Sequence, residues 1–590
     1  MSLPSLPFED SRRLTGWNLH FAATGAVLQT VGVAVATDLP DRWRAQLARA
    51  RQALGWPAAA TSVRSAANGL VLAFAAPVDQ LLTATEVNEW ALASALGAGP
   101  WARLHAPGHP AAWDEASALA TLQAHAASER NPALLALHAA AQARGRNVLQ
   151  DDTTLTLGSG AAARSWPLAA LPAAAALEWD ALSEVPIALV TGSNGKTTTT
   201  RLLAAIARGQ GLHVAHTCTD GVYRDGVALA SGDYSGPVGA RTALLASGID
   251  LAILETARGG LLRRGLAVQH AQVGIVTNVS DDHFGEYGID TLEALAQAKL
   301  TIARALGAAA TLVLNADDAL LVAQAGQQAI TARRAWFALD ADAPLLRAGR
   351  ARGEATCGLR AGRLVLHADG HEHDLGAAAA MPLGFGGTAR YNLANIAAAA
   401  LAAQALGIAP GVIAAVAQSF GATPADNPGR LQHVELGGVH VLVDYAHNPD
   451  GMRGLLEVAA GLRPARLGIL LGQVGNRSDA EIRELATTVA AARPARIVLK
   501  EIASYLRGRE PGAVPALLRA ALLADGVAEP DLSGPVDEDA GVRQLLAWAR
   551  AGDVVVLPVH GTDTRPRVGA LLDALAAGGW RAGDRLPASR

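Results

Sequence analysis

Residues 185–203 read VPIALVTGSNGKTTTTRLL, and the rest of the chain is read outward from this stretch. An apolar, β-prone run through Ile187, Ala188, Leu189 and Val190 gives way to a tight turn at Gly192-Ser193-Asn194-Gly195, and residues 196–208 predict a helix. Pro186 is compatible with the strand because it stands at its start. Strand, glycine-bearing loop and helix in this order make a phosphate-binding P-loop. Its glycines let consecutive N–H groups turn inward and the positive end of the helix dipole adds to them, so a polyphosphate is cradled without a large cage. Gly192, Ser193, Asn194, Gly195, Lys196, Thr197 and Thr198 are the candidate nucleotide-binding set, with Lys196 reaching the β- and γ-phosphates and the Thr197 hydroxyl offered to Mg²⁺. The commoner spacing would place glycine at 190, where Val190 stands.

Bulk properties narrow the class. A chain of 590 residues that is 51% hydrophobic and 17% charged is globular and long enough for about three or four domains. Aromatic residues make up only 4%, which with abundant alanine and glycine predicts cores of small aliphatic side chains. The 49 basic and 53 acidic residues leave a net charge of −4, so nothing marks the chain for nucleic acid or an anionic membrane. Cys218 and Cys357 are too few for a zinc cluster and read as thiols of a reducing compartment. The start, MSLPSLPFEDSRRL, has early acidic residues and no apolar leader segment, which points to the cytoplasm. The alanine-rich run 396–420 is broken by Gln404, Gly407, Pro410 and Gln418, and predicts two amphipathic helices in place of a membrane span.

Upstream of the P-loop, runs at 26–36 and 69–75 predict strands and 81–96 and 113–127 predict helices, a small α+β unit followed by a linker over about 165–184. Downstream, residues 211–217 restart a strand, so the order is βαβ and the sheet parallel. The turn-rich stretch 219–237 is either close to substrate or phosphate or a plain surface loop. The run 251–254 ends in Glu255, a carboxylate at the carboxyl end of a parallel strand, where open α/β sheets bind their ligands; Glu255 is the first choice for a Mg²⁺ ligand. Similarly, the run 273–277 leads into Asp281-Asp282-His283, which brings oxygen and imidazole donors beside the phosphates. Residues 335–385 lose the helical period and predict an inserted small sheet. A hairpin over 431–442, strands at 467–471 and 553–557, and His560-Gly561 complete a Rossmann-like domain.

In combination, the P-loop, Glu255, Asp282-His283, Lys299, Asn315-Ala316-Asp317-Asp318 and Asp444-Tyr445-Ala446-His447-Asn448-Pro449 resemble the Mur ligase family, enzymes that join amino acids to carboxylates with ATP. The resemblance implies an α/β protein with a central ATP-binding domain over 166–425 and a carboxyl-terminal domain over 426–590 that closes on ATP. It implies two Mg²⁺ ions, with Thr197, Glu255, His283 and Lys299 as ligands. Lys299 would be carbamylated, which needs an amine whose pKa is lowered by its surroundings. In Tyr391-Asn392-Leu393-Ala394-Asn395, where the family has His in place of Tyr391, Asn392 and Asn395 are implied to face adenine, since an amide offers both donor and acceptor. Arg430 is implied at the nucleotide phosphates, Asp444 at the ribose and His447 at the transferred phosphate. Arg477 belongs to the same set, although its neighbour Asn476 stands where related ligases usually have an acid.

Within that family the chain looks most like the cyanophycin synthetases, through Ser11-Arg12-Arg13-Leu14-Thr15-Gly16, Glu86-x-x-Glu89-Trp90, the stretch 231–237, Lys500-Glu501 and Leu506-Arg507-Gly508-Arg509. Residues 1–165 then correspond to an amino-terminal domain that holds polymer, while the ATP-grasp module of those enzymes is missing between it and the P-loop. Arg507 and Arg509 either hold the α-carboxylate of an incoming amino acid or lie in a solvated loop. The implied activity is an ATP-dependent amide (isopeptide) ligase working through an acyl phosphate. It would join an amino acid such as arginine to a side-chain carboxylate of an aspartate-containing or cyanophycin-like acceptor. The alternatives are a folylpolyglutamate- or peptidoglycan-type ligase, and a non-catalytic nucleotide-binding partner of a full cyanophycin synthetase. Amino acid and peptide-like carboxylate substrates are the expected partners, and a homo-oligomer is compatible with the chain.

Overall fold

The computed structural model describes residues 7–32, 36–97, 115–281 and 284–587. Its largest element is an eleven-stranded sheet. Seven of the strands are parallel, in the spatial order Val214–Cys218, Leu251–Glu255, Ile187–Thr191, Ala271–Val276, Leu306–Asn315, Arg333–Phe337 and Thr356–Arg360. The P-loop strand Ile187–Thr191 lies between Leu251–Glu255 and Ala271–Val276, so the chain winds away from it first on one side and then on the other. This reversal opens a crevice at the carboxyl ends of these strands, and the glycine loop projects into it.

The region expected to form a separate inserted sheet instead extends this one. Trp336 pairs with Thr356 in parallel register, and the antiparallel strands Arg363–Ala368 and His371–Ala377 continue the ladder to its edge. The alanine-rich run also departs from expectation. It forms helices Arg390–Ala405 and Pro410–Ala417, but residues 396–403 of the first are all buried, so that helix has no solvent face over its middle. Alanine permits this, because a helix without long side chains packs closely against both the P-loop helix Lys196–Gly209 and the sheet.

Residues 8–75 contain a four-stranded antiparallel sheet, Phe8–Leu14, Gly25–Thr30, Gly69–Ala75 and Thr61–Ala66 in spatial order, covered by helices Leu39–Leu54 and Leu81–Leu96. Trp43 is fully buried there and its indole donates to Asn88 Oδ1 at 3.0 Å. A small three-stranded sheet over Val148–Gln150, Thr154–Leu157 and Arg164–Pro167 precedes the linker. The carboxyl-terminal part is a six-stranded sheet in which the hairpin Gln432–Leu436/Val439–Asp444 is followed by parallel Val554–Pro558, Leu467–Leu471, Arg496–Lys500 and Leu532–Val536. Cys218 and Cys357 are buried free thiols, and no helix among the described residues is long and apolar enough to cross a membrane.

Candidate active site

The loop after Ile187–Thr191 is held by neutral hydrogen bonds to the strand end beside it. Ser193 N donates to Asn278 O at 2.9 Å, Asn194 N to Asn278 Oδ1 at 2.9 Å, and Thr277 Oγ1 to Asn194 O at 2.6 Å. Gly195 starts the helix at φ 82°, and a Cβ there would lie 2.2 Å from Asn395 Oδ1, so only glycine fits. Lys196 Nζ folds back onto the carbonyls of Gly192 and Ser193, at 3.0 Å each.

Glu255 lies at the floor, 2% exposed, and its two oxygens accept from Thr197 Oγ1 at 2.8 Å and Thr219 Oγ1 at 3.0 Å. Burial pushes its pKa up against the opposing pull of the Lys196 charge and the Thr197 hydroxyl. A buried carboxylate flanked by two hydroxyls is an all-oxygen donor set, which fits Mg²⁺. Lys299, at the end of helix Leu292–Leu300, is 3% exposed and lines the same crevice. Asp282 and His283 lie outside the described residues, and among the described residues no three His, Cys, Asp or Glu side chains gather as a metal cluster.

The crevice opens into a cavity of about 1060 Å³ whose opposite wall comes from the carboxyl-terminal sheet. Arg430, Asp444, His447, Arg477, Arg507 and His560 line it together with residues 192–198, Glu255, Lys299, Asn392 and Asn395. Asn392 donates to Leu383 O and accepts from Asn395 Nδ2, both at 3.1 Å, so the pair is fixed beneath the P-loop glycine. Asp444 accepts from the backbone N–H groups of Leu431 at 2.6 Å and Ala446 at 2.7 Å, and thereby sets the loop that carries His447. Two guanidiniums lie over the Tyr445 ring, that of Arg430 4.4 Å and that of Arg565 5.1 Å from its centre. Arg509 does not line the cavity; it donates to the carbonyls of Gly475 at 2.7 Å and Arg477 at 2.6 Å and holds that loop, whereas Arg507 lines the cavity. The turn-rich stretch after Thr219 also contributes directly, through Thr219 and residues 233–239.

One ionic group joins the halves and a second lies within the carboxyl-terminal part. Asp220 lies between Arg201 on the P-loop helix, at 2.7 Å, and Arg565 near the carboxyl end, at 2.5 Å; burial would raise its pKa, but Arg430, Arg201 and Arg565 together hold it below the usual range. Lys500 is almost fully buried, with Nζ 2.5 Å from Glu538 Oε1 and 3.4 Å from His560 Nδ1. Glu538 also accepts from His560 N at 2.7 Å and Gly561 N at 2.8 Å, and His560 Nε2 is 3.0 Å from Ala446 O. Burial drives the His560 pKa well down, so the neutral ring bridges the last strand's loop to the His447 loop. Arg565 and Glu538 carry no mark in the local sequence, and Asp220 stands in the turn-rich stretch 219–237 without any sign of an ion pair, since each acquires its partner only through long-range folding.

Residues 190–403 match the Mur ligase middle domain and residues 429–558 match the Mur ligase, glutamate ligase domain. The cyanophycin synthetase of Synechocystis sp. is 37% identical over 343 residues, covering 58% of this chain and 39% of that protein. That of Trichormus variabilis is 37% identical over 379 residues, covering 63% of this chain and 41% of the relative. The UDP-N-acetylmuramoyl-L-alanyl-D-glutamate–2,6-diaminopimelate ligase of Xanthomonas oryzae pv. oryzae is 29% identical over 411 residues, 65% of this chain and 74% of the ligase. The match thus spans about two fifths of the length of these cyanophycin synthetases.

Proposed function

We propose that this chain, which belongs to the Mur ligase family through its middle and glutamate ligase domains, is an ATP-dependent amide ligase. The observation that carries the reading is the convergence, in one cavity, of a P-loop, the Glu255–Thr197–Thr219 oxygen cluster and Lys299 from the central sheet with Arg430, Asp444 and His447 from the other side. On this reading residues 166–425 hold the nucleotide, 426–590 close over it, and 1–165 handle the acceptor.

A substrate carboxylate oxygen attacks the γ-phosphorus of ATP, the bond to ADP breaks, and an acyl phosphate forms. An amine then attacks the acyl carbon, phosphate leaves, and a proton is released with the amide. Lys196 exchanges its loop carbonyls for the β- and γ-oxygens, where its charge offsets what develops in transfer. Thr197 and Glu255 would hold Mg²⁺, which supplies further neutralisation of the phosphates; His283 and a carbamylated Lys299 would hold a second ion. Arg430 reaches the phosphates from the facing wall, and closure of that wall keeps water from the acyl phosphate. The acceptor is read as an aspartate-containing or cyanophycin-like carboxylate and the amine as an amino acid such as arginine, by similarity to the cyanophycin synthetases.

The test is incubation with ATP, a panel of amino acids and aspartate-containing acceptors, with mass spectrometry of the products. Phosphate release that requires both a carboxylate and an amine, with a matching amide product, is expected. Nucleotide binding without turnover for every pair would replace the ligase with a non-catalytic partner.

A further inference from the structure

A second cavity, of about 300 Å³, lies where the amino-terminal sheet, the small three-stranded sheet and the central domain meet. Its polar lining includes Arg146, Arg241, His138 and His270, its apolar lining includes Trp17 and Leu266, and no Asp or Glu lines it among the described residues. His138 is committed to Gln150 Oε1 at 2.8 Å, and Arg241 pairs with Asp151. By contrast, His270 Nε2 is buried with no hydrogen-bond partner, and its ring stands edge-on to Trp17 at 6.0 Å between centroids. An orphaned buried nitrogen is costly unless something arrives to meet it. The Arg146 guanidinium, that of Arg241 once drawn from Asp151, an orphan imidazole nitrogen and an indole edge suit an anion carried on a flat or aliphatic body, and the volume is that of a small-molecule site at a domain junction.

The position of this cavity gives it a route to the catalytic cleft. Pro237, the first residue of helix Pro237–Leu244, lines both cavities, and Arg241 lies one turn further along the same helix. The helix start packs closely on the turn before it, since a Cβ on Gly239 would lie 2.0 Å from Tyr234 O, and Ser235 O accepts from Ala257 N at 2.8 Å. A ligand that drew Arg241 from Asp151 would therefore be felt by residues 233–239, which line the cleft.

We propose that this cavity is a second ligand site, for a small molecule bearing a carboxylate on a partly apolar body, and that its occupancy is communicated to the cleft through helix Pro237–Leu244. The binding half stands apart from the ligase reading; the communication half rests on nucleotide binding in the cleft.

The probe is benzoate, with benzamide as its uncharged counterpart, titrated calorimetrically into the full-length chain. Benzoate is expected to bind saturably with a Kd of about 1 mM or below, as its size allows, and benzamide at least about tenfold more weakly. Arg146→Gln is expected to weaken benzoate about tenfold, and Ala267→Leu, which narrows the cavity without touching its charges, to abolish binding while the melting curve stays that of a folded protein. Saturating benzoate is expected to change the ADP Kd at least about threefold without competing for its site. The absence of saturable binding up to about 10 mM, or binding unaltered by both substitutions, overturns the site. Benzoate bound in the cavity with an unchanged ADP Kd overturns the communication, and failure of ADP itself to bind counts against the ligase reading alone.

Discussion

The floor of the cleft and its carboxyl-terminal wall both hold loop ends in place, but with different bonds. On the floor, Ser193, Asn194, Thr277 and Asn278 are neutral, and their bonds run between two adjacent parallel strands. The wall depends on buried charge: Lys500 against Glu538, and Asp220 between Arg201 and Arg565. The floor's loop is fixed by neutral bonds, with the charges of Lys196 and Glu255 beside it and not within that lattice, whereas each ion in the wall is offset only while its partner is present. The comparison predicts opposite sensitivities, with the floor failing through shape and the wall through loss of one charge.

The largest effect is therefore expected in the wall. Lys500→Met leaves Glu538 charged and buried, and is expected to cost about 3–5 kcal/mol in urea unfolding. Lys500→Met combined with Glu538→Gln removes both charges and is expected to recover most of that loss. A single variant as stable as the wild type would erase the distinction between wall and floor. On the floor, Gly195→Ala forces a side chain to φ 82° and against Asn395 Oδ1. The expected cost is about 2–3 kcal/mol, with ADP affinity falling at least about tenfold by calorimetry. Retained affinity in that variant would show the loop to be looser than its contacts require.

The same contrast explains what was legible in the sequence. The floor could be read because its residues are contiguous turn and strand-end positions whose spacing fixes their placement: the P-loop strand, helix and glycines, and Glu255 at its strand end, lie as the pattern implied. Lys299 and the motif around Asp444 also reach the cleft, but their placement was carried by resemblance, because a lysine inside a helix has no local mark of burial. The wall's ion pairs were illegible: Lys500 and Glu538 are 38 positions apart and Asp220 and Arg565 are 345 apart, and such pairings exist only after folding. Arg509, which the resemblance leaves between an incoming α-carboxylate and a solvated loop, does neither and donates to two carbonyls of a neighbouring loop. The buried helix over Arg390–Ala405 reads as amphipathic in sequence because alanine carries too weak a hydrophobic signal to separate its faces.

The smallest expected effect sets a buried acid that has a partner against one that lacks it. Burial raises the pKa of Glu538, but the Lys500 charge and hydrogen bond, with the N–H groups of His560 and Gly561, outweigh this and hold it low. Glu86, on helix Leu81–Leu96, has Oε2 buried with no partner; burial first, and then the Glu89 charge, push it from 4.5 up to about 7. Folding therefore tightens the proton on Glu86, and its contribution is fully present below the unfolded value near 4.5 and lost as pH rises through about 7. Glu538 behaves in the opposite sense, contributing above its unfolded value and losing that contribution only as pH falls through its lower folded one. Between about pH 5 and about pH 8 only Glu86 of the two changes, and with its partial exposure to solvent the expected loss is about 1 kcal/mol. Glu86→Gln should flatten that slope and leave the variant more stable than the wild type at about pH 8, as read from urea midpoints at both values. If the slope survives the substitution, the acid at 86 is not the group that titrates, and this unpartnered carboxyl would behave no differently from the paired one in the wall.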